Sequence, residues 1–202
     1  MSASKPEDRL PVGLRERKKV KTRAAIQHEA LRLFRLQGYE ETTVEQIAEA
    51  AEVSPSTFFR YFPSKEDLVL TDDYDPLILE TCRAQPAELG PVEAVRRGLR
   101  TVFEGMDGQE LADMRDRAEL ALLVPDLRAA MLDQLALVIR QLTDVVAERG
   151  KRPSGDFEVA TLAGAILGVV ISAEFYWVEN PGTDLVALID KALANLESGL
   201  PL

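Results

Sequence analysis

Apolar residues recur every three or four positions along most of the chain, and this spacing predicts helices throughout. A long first helix is expected over residues 15–37, with Gly38 as its stop. The lone His28 lies on the polar side of this helix, so we expect a surface histidine. The opposite side is formed by Ile26, Ala30, Leu33, Phe34 and Gln37.

Residues 43–68 are typical of two short helices joined by a tight turn. Thr43 stands three residues before Gln46, which is a capping-box spacing at a helix start. Ser54 is a good N-cap because its oxygen accepts an otherwise unpaired N–H, and Pro55 is a good first helical residue because it has no N–H. The chain therefore turns and restarts within about three residues. This pattern predicts a helix-turn-helix, which places its second helix in the DNA major groove.

A set of short motifs supports this interpretation between about Lys19 and Leu70. The motifs are Gly38-Tyr39, the T-T-V-x-x-I-A run from Thr42 to Ala48, Val53-Ser54, Thr57-Phe58, Tyr61-Phe62 and Ser64-Lys65-x-x-Leu68. Together they resemble the tetracycline-repressor (TetR) family of bacterial transcription regulators. Two positions depart from the family pattern: Glu52 stands where Gly commonly ends the first helix of the motif, and Phe59 stands where Tyr is common.

The resemblance implies that the second helix of the motif binds double-stranded DNA. Arg60 is the best candidate to read a base edge, since a guanidinium can bind guanine in a bidentate way. Phe58 and Phe62 are better placed as core. The implied DNA-binding residues are Thr43 and Lys65 at phosphate-contacting positions, together with Ser54, Pro55, Ser56, Thr57, Arg60 and Tyr61.

The net charge of -10 is divided unevenly along the chain. Residues 1–70 hold 12 basic and 11 acidic side chains, whereas residues 71–202 hold 12 and 23. A basic cluster just ahead of and at the start of the first helix is placed to meet phosphates, although an isolated cluster is often only a solvated charge run. An acidic body would favour one docking face for DNA. The cluster consists of Arg15, Arg17, Lys18, Lys19, Lys21 and Arg23.

Leu and Ala dominate the rest of the chain, which favours an all-α protein. Ser64 is expected to cap a fourth helix that Asp75-Pro76 interrupts, because Pro removes a helical hydrogen bond. Asp75 and Pro76 are also suited to restart a helix, as its N-cap and first helical residue. A loop over 84–91 and five further helices are expected, over 91–105, 109–123, 125–149, 156–179 and 184–198. We predict about nine helices in three parts: a flexible arm over 1–14, a helix-turn-helix DNA-binding domain over 15–70, and a ligand-binding and dimerisation bundle over 71–202.

Residue counts narrow the function further. The single Cys82 excludes an internal disulfide and a cysteine-based zinc site, and the polar start of the chain has no apolar signal core, so we expect a cytosolic, reduced protein. Asp72, Asp73 and Asp75 form an acidic cluster, but three acids without further ligands are more typical of a solvated helix end than of a cation site. We therefore predict no metal and no cofactor.

Residues 159–178 form an almost continuous apolar run with the length of a membrane span. Glu174 lies inside the run and its flanks are acidic, so we expect a buried helix of a soluble protein and no membrane contact. Small residues recur in this helix every four positions, where another backbone can approach closely. This small-residue stripe consists of Ala160, Gly164, Gly168 and Ser172.

We expect the small-residue stripe to face a symmetry mate; in the alternative, both faces of the helix fill a monomeric core. The last helix would complete a two-fold, four-helix interface. The last-helix residues predicted at this interface are Leu185, Leu188, Ile189, Ala192 and Leu196.

A small-molecule site is expected in the C-terminal bundle. Arg115 lies on an apolar helix face, where it can reach water, pair with a buried acid such as Glu174, or bind an anionic ligand. Within the family, the stretch ALLVPDLRAAMLDQ and the Trp-containing helix are similar to an actinobacterial branch thought to sense acyl-CoA-like or bulky apolar compounds. The candidate lining residues are Met114, Arg115, Met131, Leu167, Val170, Glu174, Tyr176 and Trp177.

These features predict a homodimeric DNA-binding regulator, most simply a repressor that binds a palindromic operator and is released by an apolar or acyl-like effector. Two alternatives are a helical enzyme acting on an acyl thioester and a protein-interaction module, each with a chance helix-turn-helix match. One His and one Cys give the enzyme no nucleophile–base pair, and no Gly-rich phosphate loop appears. Only the regulator should show strong, salt-dependent DNA binding.

Overall fold

The computed structural model describes the backbone of residues 14–71 and 74–201, and the side chains from Lys18 onward other than that of Val20. Residues 1–13 of the predicted arm, Asp72 and Asp73, and the side chains of Arg15 and Arg17 lie outside this description. The described chain is all-α, as predicted. Its ten helices are α1 (Leu14–Gln37), α2 (Val44–Ala50), α3 (Pro55–Tyr61), α4 (Asp67–Leu70), α5 (Tyr74–Arg83), α6 (Pro91–Phe103), α7 (Gly108–Leu123), α8 (Pro125–Gly150), α9 (Phe157–Glu179) and α10 (Leu185–Glu197).

The fourth helix is shorter than predicted, whereas the predicted restart at Asp75-Pro76 is confirmed to within two residues. The expected segment up to the proline is shorter, because α4 ends at Leu70, and the proline does not interrupt a helix. Pro76 instead lies in the first turn of α5, two residues after its start at Tyr74. The N–H groups of a first helical turn have no helical partner, so a proline there removes no hydrogen bond.

The chain forms two compact units, one ending at Leu68 and the other beginning at Val69. In the smaller unit, α2 packs against both α1 and α3. Phe58 and Phe62 are fully buried, which confirms their prediction as core residues. His28 is exposed, as expected. The other fully or almost fully buried side chains of this unit include Ile26, Ala30, Leu31, Phe34, Ile47 and Leu68.

In the larger unit, α9 packs between α8 and α10, and α6 packs against α5 and α10. Helices α5 and α6 lie close together at Gly98, where an added Cβ would lie 2.5 Å from the Sγ atom of Cys82. Burial raises the pKa of this thiol to about 11, so Cys82 is a protonated core residue. The end of α5 and the following loop are held by Arg149, whose guanidinium donates to the carbonyls of Cys82 (3.2 Å), Gln85 (3.1 Å) and Leu89 (3.3 Å).

Helix α9 is covered on one side only. It is long and apolar enough to span a membrane by length and composition, yet only 28% of its most apolar stretch is buried within the chain. The expectation of a helix buried on both sides is therefore not met by one chain alone. The buried line along α9 is Val159, Ala163, Ile166, Val170, Ala173 and Trp177.

Candidate functional site

The start of α2 is fixed by a reciprocal cap. The backbone N–H of Thr43 donates to Oε1 of Gln46 (2.9 Å), and the Gln46 N–H donates to Oγ1 of Thr43 (3.2 Å). This is the predicted capping box, in which two N–H groups that lack helical partners are paired. Gln37, from the last turn of α1, also donates to Oε1 of Gln46 (2.9 Å). The exposed Thr43 therefore stands at a capped helix start, and its contact with a phosphate stays a prediction.

The turn between α2 and α3 contains a residue with left-handed backbone. Glu52, which stands where the family commonly has Gly, has φ of 53°. A side chain disfavours this conformation by roughly 1–2 kcal/mol, which explains the family's glycine. The turn geometry survives the substitution, because α3 still begins two residues after Val53, with Ser54 as its N-cap and Pro55 first.

Helix α3 presents most of its side chains to solvent. The Oγ atom of Ser54 accepts from the Thr57 N–H at 3.1 Å and lies 2.9 Å from the Ser56 hydroxyl, so this end of the helix is a compact row of hydroxyl groups. Arg60 is exposed, with its guanidinium carbon 5.2 Å from the centre of the Tyr61 ring. The exposed residues of α3 are Pro55, Ser56, Phe59 and Arg60, and the half-buried ones are Thr57 and Tyr61.

Phe59 is a candidate DNA-reading residue that the sequence analysis passed over. Its side chain is 51% exposed, and its ring lies edge-on to the buried Phe58, with the centroids 5.3 Å apart and the planes at 86°. The ring is thereby held in place while its outer edge stays in solvent. Apolar side chains in this situation can contact the methyl group of thymine in the major groove. The sequence signal that could have identified Phe59 is its departure from the Tyr that the family commonly has at this position.

Lys65, predicted to contact a phosphate, makes several contacts inside its own unit. Its ammonium donates to the carbonyls of Tyr39 (2.9 Å) and Thr42 (3.3 Å) and lies 4.1 Å from the centre of the Tyr39 ring. The pKa of the neighbouring Glu66 carboxyl is lowered, first by a hydrogen bond from the Glu66 backbone and then by the Ser64 hydroxyl and the Lys65 charge. Burial of the carboxyl acts in the opposite direction. Lys65 therefore holds the loop between α1 and α2 and keeps one ammonium hydrogen for another acceptor.

A cavity of about 260 Å³ lies within the larger unit. Six of the eight predicted ligand-site residues line it, namely Met114, Met131, Leu167, Val170, Glu174 and Trp177. The remaining walls come from α4 and α5 (Val69, Leu70, Asp75, Ile78, Leu79), α6 (Val95, Leu99, Phe103), α7 (Arg117, Ala118, Ala121), α8 (Gln134, Leu135, Val138, Gln141, Leu142) and α9 (Ile166, Ile171).

Two predicted ligand-site residues lie elsewhere. Tyr176 is 51% exposed, because it precedes Trp177 by one residue and its side chain therefore points about 100° away from that of Trp177. Arg115 does not line the cavity; it donates to the Trp177 carbonyl and its guanidinium carbon lies 4.7 Å from the centre of the indole. The cavity arginine is Arg117, only 8% exposed, which the sequence analysis missed.

The small-residue stripe lies on the uncovered side of α9. Ala160, Gly168 and Ser172 are exposed and Gly164 is half-buried, and a Cβ added at either glycine meets no atom within 4 Å. Phe157, 82% exposed, and Tyr176 extend the same side. We refer to this surface, with the half-buried Leu188, Ala192 and Leu196 of α10, as the α9–α10 face.

Two of the predicted interface residues belong to the core instead. Leu185 and Ile189 are 3% and 2% exposed, so they pack inside their own subunit and cannot contact a partner. The mistake has a simple cause: the apolar stripe of α10 is wide, and sequence periodicity does not show which half of it is covered by the chain itself.

Comparison with known proteins places both units in one family. Residues 26–71 match the family model described as bacterial regulatory proteins, tetR family, and residues 89–201 match the model described as MftR C-terminal domain. The chain is 37% identical over 186 residues to the HTH-type transcriptional regulator TcmR of Streptomyces glaucescens, with 87% of this chain and 81% of that protein covered.

Two further relatives are also named as transcriptional regulators. The putative mycofactocin biosynthesis transcriptional regulator MftR of Mycobacterium tuberculosis is 27% identical over 176 residues, covering 85% of this chain and 87% of that protein. The crystal structure of Thermus thermophilus FadR, a TetR-family transcriptional repressor in complex with lauroyl-CoA, is 30% identical, with a TM-score of 0.54 over 89% of this chain and 95% of that one. With a helix-turn-helix unit, a helical C-terminal unit and these matches over most of its length, the chain belongs to the TetR family of transcriptional regulators.

Proposed function

We propose that the protein is a cytoplasmic, homodimeric repressor that binds a palindromic operator through α3 and is released when a small apolar molecule occupies the cavity. The observation that carries the DNA-binding part is the exposure of α3. A 7-residue helix with a capped start and four exposed side chains, Arg60 among them, has no packing reason to present them together. Reading of base edges supplies that reason.

The dimer is supported by the one-sided burial of α9. An apolar helix whose second side stays in water exposes a contiguous apolar surface, which in soluble proteins marks an interaction site. The small-residue stripe lets a second α9 approach closely, and Phe157 and Tyr176 add large apolar side chains at its edge. A two-fold axis through this surface would bring the same face of each subunit together.

Ligand control is supported by the cavity and by the family. The related FadR structure contains lauroyl-CoA, which shows that a relative at 30% identity binds a small molecule. In this chain the cavity is lined mainly by apolar side chains with a few polar groups among them, which is the usual make-up of a small-molecule site. The enzyme alternative has no comparable support: the only cysteine is protonated and buried in one unit, and the only histidine is exposed on the other.

The test is selection of DNA from a random duplex library, followed by affinity measurements at 50 and 200 mM salt. If the protein is a regulator, the selection should recover an inverted repeat whose half-sites are one helical turn or a multiple apart, roughly 34 Å. Its affinity for this DNA should fall about 10³-fold or more between the two salt concentrations. Arg128→Ala, a change at an exposed arginine of the acidic unit, is the matched control for Arg60→Ala and should leave the affinity unchanged. Recovery of no enriched sequence would contradict the proposal.

A further inference from the structure

The charged groups in the cavity wall compensate one another. Among the described residues, three ionisable side chains line it: Arg117, Glu174 and Asp75. A guanidinium that is only 8% exposed must be paired, because an isolated buried charge is strongly destabilising. None of these three side chains is without an interaction partner. One basic group against two acidic groups does not form a site for an anion.

The nearby Arg115 does not supply the cavity with a positive charge that an anionic ligand could bind. Its guanidinium is committed to the Trp177 carbonyl and to the face of the indole, outside the cavity wall. A ligand carboxylate or phosphate inside the cavity would therefore have to displace an existing partner of Arg117 and would lie in the same wall as Glu174 and Asp75. Like charges that share a low-dielectric site raise each other's energy.

The size of the cavity points the same way. About 260 Å³ is slightly below the roughly 300–1,000 Å³ of typical ligand pockets, which favours a compact occupant. The larger unit holds about twice as many acidic as basic residues, which also disfavours a polyanionic head group such as that of an acyl-CoA.

The remaining polar groups of the wall are neutral amides. Gln134 and Gln141 lie seven residues apart on α8, two turns along one side of the helix, and both line the cavity. An amide side chain both donates and accepts hydrogen bonds, so it recognises uncharged carbonyl and hydroxyl groups. Gln134 and Gln141 are thus placed to orient a neutral ligand between the apolar walls.

We propose that the effector of this protein is a compact, uncharged, mainly apolar molecule with carbonyl or hydroxyl groups, which binds between the glutamines of α8 and Trp177. The inference rests on the proposed ligand control of DNA binding, and it narrows the expected apolar or acyl-like effector to an uncharged one. It concerns this cavity alone and does not depend on which DNA sequence the protein binds.

Three probes of the same chain length separate the charge classes: decanamide, decanoate and decylammonium. The chain has a single tryptophan, and it lines the cavity, so intrinsic fluorescence reports occupancy of this site. Decanamide, the neutral isostere of decanoate, is expected to bind at least 10-fold more tightly than either charged probe at pH 7. Lauroyl-CoA is expected to bind more weakly than decanamide. Gln134→Leu with Gln141→Leu should reduce decanamide affinity about 5- to 10-fold.

The matched control is Arg140→Leu, which removes a polar side chain from the exposed side of α8 beside Gln141 and should not change probe affinity. Tighter binding of decanoate or lauroyl-CoA than of decanamide overturns the inference, as does the absence of any fluorescence response below 1 mM. Operator binding by the same preparation is measured in parallel. If it persists when the probes fail, the ligand inference alone is wrong; if it is absent, the proposed function is wrong as well.

Discussion

The double substitution Gly164→Leu with Gly168→Leu should separate the subunits while making each subunit more stable. Both positions lie in the interior of α9, and an added Cβ meets no atom within 4 Å at either one. Inside one chain there is consequently room for the leucines. Gly costs roughly 0.7–1 kcal/mol relative to Leu in a helix interior, so the two changes should raise subunit stability by about 1.5–2 kcal/mol.

The effect on the dimer has the opposite sign. A two-fold interface contains each substituted position twice, so four isobutyl groups enter a surface where two backbones are expected to meet. Overpacking costs typically about 1–3 kcal/mol per site, which gives a loss of at least about 4 kcal/mol in association. The dissociation constant should then rise by about a thousandfold or more.

Sedimentation velocity between 0.1 and 50 μM measures the association, and urea unfolding followed by circular dichroism measures subunit stability. Gly164→Ala with Gly168→Ala is the matched control, because it supplies the same helix preference with single methyl groups and should leave much of the dimer intact. If the leucine variant remains dimeric at 1 μM, the two chains meet elsewhere. If instead its helix content falls, the glycines serve the fold of the single chain, and the close-approach argument fails.

Four other substitutions test separate parts of the structure. Arg60→Ala should cost about 1–3 kcal/mol in operator affinity and relax the preference at one base pair per half-site, as measured by binding to single-base operator variants. Lys65→Met should lower the melting temperature of the free protein, because two carbonyls lose a charged donor. It should reduce the slope of log DNA affinity against log salt concentration by about 1 only if the third ammonium hydrogen of Lys65 contacts a phosphate. Glu52→Gly should stabilise the fold by roughly 0.5–1 kcal/mol in urea unfolding, since its φ of 53° suits glycine; a destabilised variant would mean that the carboxylate makes a needed contact. Gly98→Ala should destabilise by about 2 kcal/mol, since a clash with Cys82 exceeds the gain in helix preference, and unchanged stability would show that α5 and α6 can move apart.

The helix-turn-helix was predictable because its information is local. A cap is a contact between residues three apart, and the stop-and-restart at Ser54 and Pro55 is written in neighbouring positions. The helices of the larger unit were predicted to within two residues at each end for the same reason. The restart near Asp75-Pro76 was likewise predicted to within two residues, whereas the early end of α4 at Leu70 was not, because no glycine directly follows Leu70 to mark a stop.

The cavity was only half predictable. Periodicity identified Glu174 and Trp177 as members of one face of α9, and the structure places both in the cavity wall. It could not distinguish Arg115 from Arg117, because the choice depends on where α7 meets α9, and residues two apart on a helix point in very different directions. The same limit applies to α10, where the buried Ile189 and the half-buried Leu188 are adjacent in sequence.

A ligand can control DNA binding only if its binding free energy favours conformers that do not bind DNA by a sufficient amount. A hundredfold loss of DNA affinity needs about 2.7 kcal/mol of preference for conformers that do not bind DNA. The cavity wall includes Val69 and Leu70, which belong to α4 and follow the DNA-binding unit directly along the chain. A helix of four residues is too short to be stable by itself, so its position depends on what it packs against. A ligand that fills the cavity would change that packing. A difference of about 60–110 Å² of apolar contact between the two conformers, at roughly 25–45 cal/mol per Å², would supply the required 2.7 kcal/mol.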